Sequence, residues 1–572
     1  MNNMTKLQLF AAALALSGVS VQAATQAEIN AAAQEQQRLN AQEQQRQDAE
    51  QQRLQQPKTP AGADLGQPGL SFGNLKNADG SCTELKRINV KGSNLIDEWE
   101  LEVFEAPFLG KCMDAALASQ ALASATNFYL SRGFITSRAY LPNQNLSDGV
   151  LDIFMSEGQV ADVTVKSDKP LNVATVFERD PDLGLNIRDL EQAVDQMNAV
   201  PGNNVVMSVQ PGAQPETSQV VFENKGQPGV VGRVSLDNTG SESTGVHGAS
   251  LLLQAGDLLS LNDVWTVSAR TSLGPRAQSS DSLSLDVKVP DGYNTYGVGY
   301  SKGGFDTLLT FPLTGSQLTS EGANESFVLS ANRVIHRDQS SKHSLGLALK
   351  RDSVESYIAS TKIDVNSRTL DALVLTGESV LGFDKNVLVV SPEIAMGLSE
   401  VDNLPVGVNT PVENPQAEYL RYKLTIDWTQ PFTLSSKSLR WKSRFVGQYA
   451  EVPLYGSQQI IVGGASSVRG SHGMSVVGDR GFYWQNTISL DAKHTVGNTE
   501  VKAEYSIGYD FGRVRSERAG VYQGGLDALV LGANVSTGGP WGLTVTHAVP
   551  LHVEGGLDKG TPHTTAVLNL DF

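Results

Sequence analysis

The stretch Leu420-Arg421-Tyr422-Lys423-Leu424-Thr425-Ile426-Asp427-Trp428 decides the fold. In an extended chain successive side chains point to opposite faces, so Leu420, Tyr422, Leu424, Ile426 and Trp428 share one face and Arg421, Lys423, Thr425 and Asp427 the other. A helix would mix the two sets. The same period of two sets Trp441, Phe445 and Tyr449 against Arg440, Lys442, Arg444 and Gln448, and Phe482, Trp484, Ile488 and Leu490 against Tyr483, Gln485, Thr487 and Asp491. It ends with Ala566, Leu568, Leu570 and Phe572 against Asn569 and Asp571.

A soluble sandwich would turn such apolar faces inward, and a membrane barrel would turn them out to lipid around a wet interior. The barrel is favoured by aromatics near strand ends, by alternation that continues from about Gly229 to the last residue, and by the terminal Phe572. About 340 residues at about 21 per strand and connection give about sixteen transmembrane strands, a size that leaves an aqueous channel unless something closes it. The expected fold is therefore a membrane all-β domain.

Working outward, the 572-residue chain carries a formal net charge of −17, opposite to the basic footprint of a nucleic-acid binder. At the start, Lys6 precedes an apolar run from Leu7 to Leu16, and Val21, Gln22 and Ala23 make a small-residue cleavage site, so residues 1–23 read as a signal peptide. The run is too short to span a bilayer as a helix. Residues 24–56 are almost wholly Ala, Gln, Glu, Arg and Asn, with Ile29, Leu39 and Leu54 the only large apolar residues. They form good helix without an apolar stripe, which suits either a solvated tail or a helix lying in a water-filled lumen. Residues 57–80 hold Pro57, Pro60, Gly62, Gly66, Pro68 and Gly69 and read as a flexible linker.

Two small α+β modules follow, at 81–158 and 159–228, ahead of a barrel at 229–572. In the first, Leu85, Ile88 and Val90 begin a strand, Ala115 to Leu130 is helical and Val150 to Met155 closes. In the second, Val160 to Val165 opens, Ile187 to Met197 is helical, and Val205 to Val209 pairs with Gln219 to Glu223. Cys82 and Cys112, the two cysteines of the chain, fall in the first module. In an oxidising compartment they are free thiols or, the reading preferred here, a disulfide contributing about 3 to 4 kcal/mol in the chain-entropy model.

Three motifs stand out. The first is Gly133-Phe134-Ile135-Thr136-Ser137-Arg138 with Leu141-Pro142-Asn143-Gln144 and then Leu151 to Gly158. The second is Gly463-Gly464-Ala465-Ser466-Ser467-Val468-Arg469-Gly470, inside a connection of about thirty residues, a length that usually signals function. The third is Gly508-Tyr509-Asp510-Phe511-Gly512, where parity places Asp510 with Lys502, Glu504 and Ser506 on the lumen face. No phosphate-binding loop or His-Glu-x-x-His occurs, and His336 and His343, seven apart in an expected connection, read as surface residues rather than metal ligands.

With these motifs, the order of signal peptide, polar helix, linker, two modules and barrel resembles the outer-membrane transporters of two-partner secretion, the TpsB family. The resemblance implies that the modules are periplasmic POTRA domains and that 24–56 is a plug helix. It also implies that Val468, Arg469 and Gly470 belong to a loop folded back into the barrel, with Asp510 and Gly512 as partners of that loop. The family has an aromatic residue where this chain has Ser471.

The implied function is non-enzymatic and needs no cofactor or metal. The chain would be a monomeric pore in outer-membrane lipid that exports one large exoprotein, an adhesin, haemolysin or contact-dependent toxin, recognised by its N-terminal targeting domain. An outer-membrane protein assembly or insertion factor is the alternative, since it would share the barrel and both loop motifs. A passive porin would not need the modules.

Overall fold

A computed structural model describes residues 83–572 apart from 145, 169–170, 178–183, 228, 311–316, 399–414, 471–474, 498, 518–522 and 556–559. The signal peptide, the 24–56 segment, the linker, Cys82 and Ser471 lie outside the described residues. Cys112 is disulfide-bonded.

The first module packs helices Glu98–Glu105 and Ala115–Ser131 on a three-stranded sheet of Arg87–Lys91, Val150–Ser156 and Arg138–Tyr140, in that order. Asp114 starts the longer helix by accepting the Leu117 N–H at 2.7 Å, and Ala118, Ala121, Leu122 and Ala125 bury its core face. The helix Glu98–Glu105 is absent from the sequence expectation. Its Trp99, Leu101 and Val103 alternate like a strand, but Asp97 and Glu100 stand three residues apart as a start signal, with the Asp97 N–H donating to Glu100 Oε2 at 3.3 Å.

The second module orders its sheet Gln159–Lys166, Thr217–Asn224, Val205–Pro211, with helix Ile187–Ala199 packed on it. Thr217–Asn224 is the central strand, with Val221 paired to both Thr164 and Ser208. The free edges are therefore Gln159–Lys166 and Val205–Pro211.

The first motif turns out to be the joint between the modules. Gly133 ends the long helix at φ +94°, its carbonyl accepts the Ile187 N–H at 2.9 Å, and a Cβ there would lie 2.2 Å from Asn186 Oδ1. Ile135 packs into the second module's core.

Beyond, sixteen long antiparallel strands close into a barrel, each joined to its neighbour and the last, His563–Asp571, joined to the first, Val230–Asp237. The wall is uneven. Strands Val230–Asp237, Gly248–Gly256, Val264–Ser272 and His563–Asp571 have eight or nine residues, whereas Gln317–Arg337 has 21 and Ser341–Ile358 has 18. The seam is held by five residue pairs and an Arg233–Asp571 ion pair at 2.5 and 3.0 Å.

The outer face follows the expected alternation, with Leu420, Tyr422, Trp428, Trp484, Ile488, Tyr505, Ile507 and Phe572 exposed. Outward rings pair across neighbouring strands, Trp428 with Trp441 at 5.5 Å and Trp484 with Phe511 at 5.7 Å. On the tall side the apolar row of Tyr300, Phe327 and Leu349 gives way to outward ion pairs, Lys302–Glu325 at 3.1 Å and Arg351–Asp371 at 2.9 Å. His336 and His343 are not in a connection. They sit on paired strand ends, rings stacked at 5.7 Å, and His343 Nδ1 shares a 2.8 Å hydrogen bond with Ser379 Oγ.

Candidate functional site: a loop pinned inside the barrel

Residues 451–479 leave the barrel wall after strand Lys437–Ala450 and return to it at Arg480–Val496. Their described residues fold inward. A short hairpin, Ile460–Val462 with Val476–Gly478, lies against the inner wall, and Ile460, Val462, Val468 and Val476 share one buried cluster with Val446, Val514, Leu526 and Ala528. Burying this apolar side of the loop on an apolar patch of inner wall is what turns the loop inward.

At its tip, Arg469 Nε donates to Asp510 Oδ2 at 2.6 Å and Nη2 to Oδ1 at 2.7 Å, a bidentate pair. The Arg469 backbone N–H adds a bond to Oδ2 at 3.2 Å, and Nη2 also donates to Thr487 Oγ1 at 2.9 Å. The Asp510 side chain is 0% exposed and that of Arg469 24%. Parity put Asp510 on the lumen face, and its neighbours Tyr509 and Ile507 point outward.

The motif glycines make room for this contact. A Cβ on Gly470 would stand 2.1 Å from Ala528 Cβ, one on Gly512 2.7 Å from Val462, and one on Gly508 3.0 Å from Arg469 Nη2. Gly463 and Gly464, at φ +125° and +86°, turn the chain at the hairpin end, where Ser467 Oγ accepts the Gly463 N–H at 2.8 Å and donates to its carbonyl at 2.9 Å. Thus Val468, Gly470 and Gly512 act by packing, and Arg469 and Asp510 by charge.

Two further anchors carry no motif signal. Buried Asp479 accepts from the Leu454 N–H and Gln459 Nε2, both at 2.8 Å, and from Ser516 Oγ at 3.1 Å and the Glu517 N–H at 2.7 Å, so it ties both stems of the loop to the next connection. Gln458 meets a separate stretch of the inner wall. Below the loop, a cavity of about 1770 Å³ opens toward the second module, with Lys288, Asp427, Arg444 and Glu504 from the wall and Asp195 and Gln196 from the module among its lining. The loop therefore stands between a wet chamber on the module side and the far end of the barrel.

The second module is docked on the barrel turns that face it. Arg337, with a side chain 1% exposed, donates to Asp195 at 2.7 Å, to Gln192 at 3.1 Å and to Glu191 at 3.4 Å, all on helix Ile187–Ala199. Tyr293 Oη donates to Asp189 at 2.6 Å, and Asn262 Nδ2 to the Asn172 carbonyl at 2.6 Å. Burial pushes the Asp189 carboxyl above the ordinary carboxylate range, against the Tyr293 hydrogen bond that lowers it. Among the described residues no group of three or more His, Cys, Asp and Glu side chains is placed to hold a metal ion.

Residues 216–535 match the family of haemolysin secretion/activation proteins ShlB/FhaC/HecB. The chain belongs to this family. A ShlB-type POTRA domain matches 83–158 and a further POTRA domain matches 159–211. Outer membrane transporter CdiB of Dickeya dadantii is 29% identical over 414 residues, 72% of this chain and 73% of that protein. Hemolysin transporter protein ShlB of Serratia marcescens is 23% identical over 434 residues, 76% of each chain. The solved structure of CdiB from Escherichia coli superposes with a TM-score of 0.80 at 24% identity, covering 97% of this chain and all of that one, and CdiB from Acinetobacter baumannii with 0.78 at 21%, covering 93% and 98%. These two show the shared fold. This TpsB-type transporter is thus an outer-membrane β-barrel of two-partner secretion with N-terminal periplasmic POTRA domains. The modules then mark the periplasmic side, and loop 451–479 enters from outside.

Proposed function

We propose that the chain exports one large exoprotein, an adhesin, haemolysin or contact-dependent toxin, captured through its N-terminal targeting domain, and that it does so as a monomer without enzymatic chemistry. The observation that carries the reading is the pinned loop, which places a charge-assisted lock in the lumen of a transporter whose wet chamber faces the periplasmic modules. Loss of the gene is expected to silence a single secreted protein. Broad damage to outer-membrane proteins would instead favour an assembly factor.

The modules offer cargo their free strand edges, which any extended chain can extend through backbone hydrogen bonds, so selectivity resides in the side chains beside the edge. In the second module that edge is Val205–Pro211 or Gln159–Lys166. A proline at Val221 would break the sheet itself rather than test cargo capture, because Val221 is paired on both sides. Exchanging residues 159–226 for those of a related transporter is the sharper test. Cargo preference should follow the exchanged module, and a chimera that still exports only the original cargo would move recognition to the first module or the barrel mouth.

The segment 24–56 acts as a plug in this reading. Its deletion is expected to leave a folded barrel and raise single-channel conductance in planar bilayers, since a helix polar on all sides occupies water without supporting the wall. Unchanged conductance would remove it from that role.

A further inference from the structure

The lumen loop is fastened at a second point, far from the motif pair. Gln458, 4% exposed, closes the short 3₁₀ turn Gly456–Gln458, eleven residues before Arg469. Its Oε1 accepts from Tyr419 Oη at 3.0 Å and from Arg421 Nη1 at 2.9 Å, while its Nε2 donates to Asp352 Oδ2 at 3.1 Å. Its backbone carbonyl accepts Gln448 Nε2 at 3.0 Å. Three barrel strands, and Tyr419 just ahead of one of them, thus hold one glutamine.

The partners are themselves fixed, Asp352 by Ser326 at 2.7 Å and Lys350 at 3.1 Å, and Arg421 by Glu393 at 2.6 Å. Only a side chain with both a donor and an acceptor satisfies a carboxylate on one side and a guanidinium with a phenol on the other. A glutamate would face Asp352 with a second carboxylate, and a leucine would leave buried polar groups unpaired.

Position in the ring gives this contact its meaning. Asp352 lies on Ser341–Ile358 and Asp510 on Thr499–Arg515, six strand positions apart among sixteen. The loop therefore bridges separate parts of the inner wall. Held at one point it can swivel, and held at both it cannot.

We propose that Gln458 is a positioning residue for export, a second fastening that works together with Arg469 to hold the loop across the pore. The role of the loop in setting the pore rests on the function proposed above, so the test reads loop release separately from conductance. In the full chain carrying Val476→Cys, at a loop position buried against the inner wall, Gln458→Glu is expected to speed maleimide labelling by about fivefold, an ordinary size for residues sharing one network. Adding Asp352→Asn restores a donor opposite the new carboxylate and should return labelling to the starting rate. A merely structural defect would not be rescued this way.

Combining Gln458→Glu with Arg469→Ala should accelerate labelling by more than the product of the single effects, because either fastening alone retains the loop. Unchanged labelling in Gln458→Glu, failure of the Asp352→Asn rescue, or a double variant equal to the product of the singles would each overturn the proposal. Faster labelling with unaltered conductance would leave the fastening standing and refute the reading in which loop position sets the pore.

Discussion

Arg469→Ala and Asp510→Ala are each expected to abolish most export while the barrel still inserts and shows normal heat-modifiable migration. The pair is desolvated on the aspartate side, so losing either member strands a charge, at a cost of about 3–5 kcal/mol rather than the under about 1 kcal/mol of an exposed pair. That corresponds to between about a hundred and several thousand fold in the equilibrium for making this contact. Because both substitutions remove the same contact, the double variant should be little worse than either single. Secreted cargo measured in the culture medium decides it. Losses that multiply would mean that the two residues act independently. This less-than-multiplicative outcome is opposite to that expected for Arg469 with Gln458, so the two cycles check each other.

Arg337→Ala should release the second POTRA domain from the barrel and reduce export at least tenfold. Arg337 meets Glu191, Gln192 and Asp195 together, and its side chain is almost wholly enclosed. The expected cost lies near the lower end of the range for breaking a buried pair, about 3 kcal/mol, because Arg188 still donates to both Glu191 oxygens at 2.8 Å. Hydrogen exchange should accelerate in helix Ile187–Ala199 and in the Gly292–Tyr293 turn, and protease should cut between module and barrel. Arg337→Lys would recover part of the dock, since an ammonium lacks the guanidinium fork that reaches three partners at once. Protection unchanged in the alanine variant would show that the Asn262 and Tyr293 contacts suffice.

Much of the barrel was legible because lipid and water lie on opposite sides of one strand, and that contrast is written residue by residue from Leu420 to Trp428. Asp510 was legible by parity. Arg469 was not, since nothing local separates it from other basic residues, and only the family motif pointed to it. Gln458, Asp479 and Arg337 left no signal at all. Their partners lie 10 to 106, 20 to 38, and 142 to 146 residues away, and neither a buried amide nor a solitary charge has a periodicity. The helix Glu98–Glu105 was missed for the reverse reason, a misleading alternation overruled by its start signal and by Phe104 packing into the core.

The unequal height of the wall gives the exit a direction. About ten tilted residues cross the membrane, so the eight- and nine-residue strands at the seam end near its surface, while Gln317–Arg337 continues for about ten residues more. At about 3.3 Å per residue and a tilt near 45°, that is a parapet roughly 20 Å high on one side, beginning where Lys302–Glu325 and Arg351–Asp371 replace the lipid-facing row. The opening is a spout. A polypeptide leaving it meets extended strand on the tall side and short strand on the low one, so its first folded structure is expected to form over the short strands.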